Sequence, residues 1–249
     1  MSGRKEETPR QRLLARQVSL LRHLTDPYAF EASPAAPEFA AMDEERLRLV
    51  GRMSFDKRMS KIRTALPRTF SFVPHVEGMS EAEFARRRPP FTNLRQENAR
   101  QFVDYLREVW RERAPMEPAF LPDLAAVEAA VVRVNAVVAD PRTDRPVPGT
   151  APAFRRARDV ELLRCGYDVQ PFFATGEGRR PPVGRDVRLV IASSRRQKPR
   201  ICEVGAGVFD FLGASAGWRP LDAPEFAADP GIPDLLRTLS RMEIIEVNQ

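Results

Sequence analysis

The chain has 249 residues, enough for one or two domains with real hydrophobic cores. Apolar residues make up 43 %, which argues against global disorder, and no apolar run approaches the about 18 residues of a membrane-spanning helix. The 40 Lys and Arg stand against 34 Asp and Glu, a net charge of +6; this modest excess favours acidic partners electrostatically and dictates nothing about fold.

The N-terminus, MSGRKEETPRQR, has charges with no apolar core behind them, so no secretory signal is expected. Thr8-Pro9 predicts a cap and a first-turn proline. Leu13, Leu14, Val18, Leu21 and Leu24 then recur at helical spacing as one face, which Asp26-Pro27 ends. Pro27 to Pro37 reads as a packed loop. Asp43 can cap a second helix whose stripe is Leu47, Val50 and Met53, continued by Met59, Ile62 and Leu66 after an expected kink near Gly51. Pro67 closes this region, and Phe70, Phe72 and Val73 anchor the next turn.

Ser80 and Glu83 have capping-box spacing and predict a short helix ending at Arg86-Arg87-Arg88-Pro89-Pro90. Thr92 or Asn93 opens a stronger one. Its stripe of Ala99, Phe102, Val103, Leu106, Val109 and Trp110 reads as bundle core rather than an aromatic binding box. The next helix opens with Leu121-Pro122-Asp123-Leu124, where Asp123 suits the helix dipole. Leu124, Val127, Val131, Val134 and Val138 are expected to complete the bundle's inward face.

Asp140 to Pro152 holds four prolines and no apolar period, the texture of a linker. Strand patterns follow. Val160 and Leu162, then Tyr167 to Phe173, alternate around an expected bulge at Gly166. Arg185 to Ala192 reads as a half-buried strand, and Ser193 to Pro199 as a basic turn. Arg200 to Val204 reads as a short strand. Helices are expected around Val208–Leu212, Ala223–Ala228 and Pro233–Arg241, and Ile244, Ile245 and Val247 suit a closing strand. The expected fold is α+β, a helical bundle followed by a winged-helix-like module of about three strands and three short helices. The expected domains are 1–139, a linker over 140–155, and 156–249.

Motifs for catalysis are missing. His23 and His75 stand apart from any metal-ligand spacing, and Cys165 and Cys202 have no CxxC partner. Two cysteines make no disulfide framework in so long a chain, so reduced thiols and a cytoplasmic setting are expected. Gly176, Gly178 and Gly184 lack phosphate-loop spacing, and neither G-x-S-x-G nor H-E-x-x-H occurs. That balance favours a binding protein. Basic residues cluster at Arg86–Arg88, at Arg155, Arg156 and Arg158, and at Arg195, Arg196, Lys198 and Arg200. The last cluster sits on the turn, where a wing contacting DNA phosphates is the lesser reading.

Three segments carry a family resemblance: ERLRLVGRMSFDKRMSKIRTALPRTFSFV (Glu45–Val73), NARQFVDYLREVW (Asn98–Trp110) and FLPDLAAVEAAV (Phe120–Val131). They resemble the helical domain shared by MbnC-like proteins and the HvfC-like family, which is labelled DNA-binding. RDVELLRCGYDVQPFF and RDVRLVIASSRRQKPRICEVGAGVFDFL resemble the C-terminal module of MbnC-like and TglI-like partner subunits. The chain departs from the pattern in its proline-rich 140–152 stretch, and in Met53, near where HvfC-like proteins usually show a tyrosine.

The resemblance implies a non-catalytic subunit of a complex that modifies ribosomally made peptides. Its partners would be an MbnB-like TIM-barrel enzyme holding two or three irons and the leader of a precursor peptide; neither a membrane nor nucleic acid is expected. The iron, and the residues that bind it, would belong to the enzyme, so this chain is expected to hold no cofactor of its own. The alternative is a DNA-binding regulator. Leader binding would proceed by strand addition at a sheet edge. The expected site is Arg200, Ile201, Cys202 and Glu203, with Cys202 as an outward main-chain donor, Arg195, Arg196 and Arg200 as a basic rim, and Leu235, Leu236 and Leu239 as an apolar wall. The same leucines equally suit the module's own core.

Overall fold

Asp43 starts the longest helix among the described residues of the computed structural model, which describes residues 8–29, 43–89, 93–136, 152–174, 182–193, 199–223 and 230–248. The chain divides into two units, Met1–Met116 and Glu117–Gln249. In the first, α1 (Pro9–Thr25) begins with a full capping box. The Gln11 N–H donates to Thr8 Oγ1 at 3.3 Å, and the Thr8 N–H donates to Gln11 Oε1 at 2.8 Å. In α2 (Glu44–Ala65), the Asp43 carboxylate accepts from the N–H groups of Glu45 and Arg46 at 3.0 and 3.2 Å. A single turn, α3 (Pro67–Phe70), leads to a short 3₁₀ turn at Val73–His75, then to α4 (Glu81–Arg87) and α5 (Arg95–Glu112). α5 starts after Leu94 rather than at Asn93, and Thr92 lies outside the described residues.

α2 runs unbroken through Gly51. A Cβ there would lie 2.8 Å from the His23 carbonyl oxygen, so the glycine lets the end of α1 approach the helix closely. α1 meets α2 at this end, where His23 and Asp26 are buried. The rest of its apolar stripe is not core: Leu13, Leu14, Val18 and Leu21 are each more than half exposed. Val50 and Met53 of α2 are exposed as well, whereas Leu47, Met59, Ile62 and Leu66 are buried. The core of this unit centres on Phe84, Phe102 and Tyr105, with Phe84 at ring-centroid distances of 5.1 and 5.4 Å from the other two.

The helix opening with Leu121-Pro122-Asp123 belongs to the second unit, so the boundary falls before residue 117 and not at 139. This helix, α6 (Leu121–Ala136), packs on β2 (Val160–Asp168) and β3 (Val183–Ala192) instead of closing the bundle. The Asp123 carboxylate explains the attachment. It accepts from the Gly166 and Tyr167 N–H groups at 2.8 and 3.1 Å, where the β2–β3 register shifts at the expected bulge. Arg133 of α6 also pairs with Glu161 of β2. Asp123→Ala should therefore lower the unfolding free energy by about 1.5–3 kcal/mol, the scale of hydrogen bonds to a charged acceptor, while Asp123→Asn recovers part of it. Urea midpoints check this, and an unchanged midpoint for the alanine variant refutes the clamp.

Among the described residues the β part is two three-stranded antiparallel sheets. One has the order β2-β3-β4, with β4 at Arg200–Glu203. The other has the order β5-β1-β6, from Ala153–Arg156 (β1), Arg219–Pro220 (β5) and Ile245–Asn248 (β6). β1 lies largely within the stretch expected to be linker. Tyr167 to Phe173 is not a second strand: β2 runs on to Asp168, and Gln170–Phe172 forms a 3₁₀ turn. α7 (Ala206–Ala214) and α8 (Ile232–Arg241) complete the unit, and the helix expected over 223–228 falls mostly outside the described residues. The core joins Phe154, Val160, Val190, Ala192, Leu212, Leu236, Leu239, Ile244 and Ile245. The architecture is thus mixed α+β.

α8 ends in a Schellman turn, with the Glu243 N–H bonded to the Ser240 carbonyl at 3.0 Å and the Ile244 N–H to the Leu239 carbonyl at 2.9 Å. The left-handed position is Glu243, with φ of 59°, where glycine is the usual residue. Glu243→Gly should raise stability by about 0.5–1 kcal/mol, since the left-handed cost to an L-residue exceeds the added freedom of the unfolded glycine. A thermal melt reads the change, and a lower midpoint would contradict it.

Candidate functional site

β4 pairs with β3 alone among the described strands, so with respect to the described residues one side of it is an open sheet edge. Its register sets Leu189 opposite Glu203, Val190 opposite Cys202, Ile191 opposite Ile201 and Ala192 opposite Arg200. The Val204 N–H donates to the Arg188 carbonyl at 2.9 Å, which makes 188 and 204 a hydrogen-bonded pair. Alternation then assigns the 190–202 and 192–200 pairs to the same class. On the other side of β3, the Ser193 N–H bonded to the Asp159 carbonyl at 3.0 Å fixes the same parity.

This parity corrects the expected donor. The Cys202 N–H and C=O face β3 and belong to the sheet's own ladder. Ile201 and Glu203 instead turn their main-chain groups to the open side. The error is one residue, and in a strand one residue reverses the direction of every group.

The side chains around the edge are largely committed. The Arg185 guanidinium bridges Glu203, at 2.5 and 2.7 Å, and Asp168, at 2.5 Å. These bonds hold the Arg185 pKa above its ordinary value, through Glu203 first and Asp168 second, and hold the Glu203 carboxyl below the usual carboxylate range. Arg200 leans to the end of α8, donating to the Met242 carbonyl at 3.4 Å and lying 3.9 Å from Glu243. Arg195 and Arg196 lie outside the described residues.

The apolar wall divides. Leu236 and Leu239 are 9 % and 4 % exposed and belong to the core, because the strongly amphipathic α8 turns that face inward. Leu235 is half-buried and packs against the same core. Of the expected site, the structure brings Arg200, Ile201, Cys202 and Glu203 together on one edge and takes two of the three leucines out of reach.

Sequence reasoning missed Arg185 and Asp168, which meet Glu203 only through the β2-β3-β4 order. The neighbouring basic cluster is also engaged: Arg155 pairs with Glu246 at 2.6 Å and lies 4.6 Å over the Trp218 ring. Cys165 is buried and Cys202 half-buried, both as free thiols. Among the described residues no three His, Cys, Asp or Glu side chains gather as a metal site. No helix among them is long and apolar enough to cross a membrane. No family model matches this chain, and no curated protein sequence matches it.

Proposed function

We propose that this chain is a non-catalytic subunit that captures the leader of a ribosomally made precursor peptide and presents it to an MbnB-like iron enzyme. The observation that carries the reading is the open side of β4, where Ile201 and Glu203 offer two outward sets of main-chain donors and acceptors. An extended peptide added there would gain a ladder with groups that otherwise face water. The β2-β3-β4 meander followed by α7 and α8 serves, in this reading, as the winged-helix-like recognition element that the family resemblance implies. Among the described residues, Arg155 and Arg185 are engaged by carboxylates rather than left for DNA phosphates.

The helical unit supplies the enzyme-binding surface in this proposal. Leu13, Leu14, Val18 and Leu21 on α1 and Leu49, Val50 and Met53 on α2 are large apolar side chains left in solvent on two helices that pack together. Exposed apolar area of this kind marks interaction surfaces. Val18→Asp should leave the melting curve within about 0.5 kcal/mol of the parent, as surface substitutions usually do, yet separate the chain from its co-expressed enzyme on gel filtration. Co-elution of the variant with the enzyme refutes this surface.

The function itself is tested by fluorescence anisotropy of a labelled leader peptide, with random duplex DNA as the competing probe. Saturable binding of the peptide with weak, salt-suppressed binding of DNA supports the proposal. Tight DNA binding without peptide capture replaces it with the regulator reading.

A further inference from the structure

Arg58 is the most deeply buried cation of the first unit, only 5 % exposed. Its guanidinium donates from Nε to Asn98 Oδ1 at 3.0 Å, from Nη1 to the Arg88 carbonyl at 2.7 Å and from Nη2 to Gln101 Oε1 at 2.5 Å. It also lies 4.5 Å over the Phe84 ring. All three acceptors are neutral. Several other arginines of this unit, Arg63, Arg87, Arg100 and Arg113, each meet a carboxylate. A buried charge without a counter-ion is costly, and a guanidinium has five N–H donors, so two remain. Burial pushes the Arg58 pKa down to about 10, which still leaves it charged at neutral pH.

The same residue lines a cleft of ≈ 230 Å³. From α2 come Ser54, Lys57, Arg58 and Lys61, which share one face at three- and four-residue spacing. Thr25, Asn93 and Asn98 complete the wall. No carboxylate among the described residues lines it. Lys61 donates to the Asn93 carbonyl at 3.1 Å, which leaves two of its three protons, and Lys57 makes no ion pair among the described residues. The start of α5, which no side chain caps, adds the positive end of its dipole beside Asn93 and Asn98.

A purely structural role for Arg58, tying α2 to α5 and to the end of α4, accounts for its three bonds. It does not account for two lysines on the same wall with no acid facing them among the described residues. Asn98 is bonded to Arg58 and the Leu94 carbonyl, and the Thr25 hydroxyl donates to the Leu21 carbonyl, but three cations with Ser54 and Asn93 around one small cleft suit a compact, doubly charged group with several acceptor oxygens. A carboxylate would answer one of the three charges, whereas a phosphate carries up to two near neutral pH.

We propose that the cleft between α2 and the start of α5 binds a phosphate group, as the free ion or as a small phosphate monoester. Binding would offset up to two of the three charges of Lys57, Arg58 and Lys61 and stabilise the first unit by linkage. This site lies within the helical unit and does not depend on the peptide-capture reading.

The test is a calorimetric titration of the full chain with inorganic phosphate, then with phenyl phosphate, at constant ionic strength. Saturable binding of the free ion alone identifies it as the ligand; binding of both identifies the phosphoryl group of an ester as sufficient. Lys57→Gln/Lys61→Gln should weaken the affinity at least about tenfold, since each charge-assisted contact is among the stronger hydrogen bonds. Both lysines reach solvent, so the variant should keep the parent's circular dichroism, and Arg58 stays in place to hold the helices. No saturable heat, equal affinity in the double variant, or succinate binding as tightly as phosphate each overturns the proposal.

Discussion

Ile201→Pro should weaken leader capture about tenfold or more while the second unit stays folded, whereas Cys202→Pro should destabilise the unit itself. The Ile201 N–H faces the open side of β4, so proline there removes no bond of the sheet and sits where an edge strand tolerates it. A docked peptide loses one main-chain bond and meets the pyrrolidine ring, so the affinity should fall about tenfold or more. The Cys202 N–H belongs to the β3–β4 ladder, and its loss with the ring clash should cost about 3 kcal/mol of stability. Anisotropy with the labelled leader and urea unfolding of both variants decide the matter. Normal peptide binding by a folded Ile201→Pro protein would remove β4 as the docking edge.

Phe84→Ala should be the most damaging core substitution in the first unit. The ring is fully buried between Phe102 and Tyr105 and forms the floor beneath the Arg58 guanidinium. Its removal leaves a cavity and uncovers a buried cation, for an expected loss of about 3–5 kcal/mol. Phe84→Leu, which refills much of the space, should lose less than half of that. Chemical denaturation measures both, and a loss below about 1 kcal/mol for the alanine variant would show that the ring does not organise the core.

The parts legible in the sequence are those set by near neighbours. Thr8, Asp43 and Ser80 cap helices as their spacing predicts, because a cap bond spans two or three residues. Alternation along 185–192 and 200–204 predicts β3 and β4, and Gly166 marks the bulge. What escaped depends on partners far along the chain. α6 is apolar around much of its circumference, so its pattern says that it is buried and not which unit buries it. β5 spans two residues and β1 opens beside Pro152, both too short to show a period. The direction of the Cys202 donor follows from its pairing with Val190, which no local pattern encodes. The cleft at Arg58 assembles Thr25, Lys57 and Asn93 from three separated segments, none of which carries a motif.

The attachment of α6 also decides where the molecule can be cut. β3 alternates between two covered faces: Val190 and Ala192 join the core with Leu212 and Leu236, while Val187, Leu189 and Ile191 are equally buried on the opposite side, toward α6. A protease nick or a gene boundary placed in the proline-rich stretch after residue 139 would release a fragment without that helix. Its sheet would present three large aliphatic side chains to water beside an unpaired edge, a recipe for precipitation. A fragment beginning at Glu117 keeps the helix and, with it, the cover over that face.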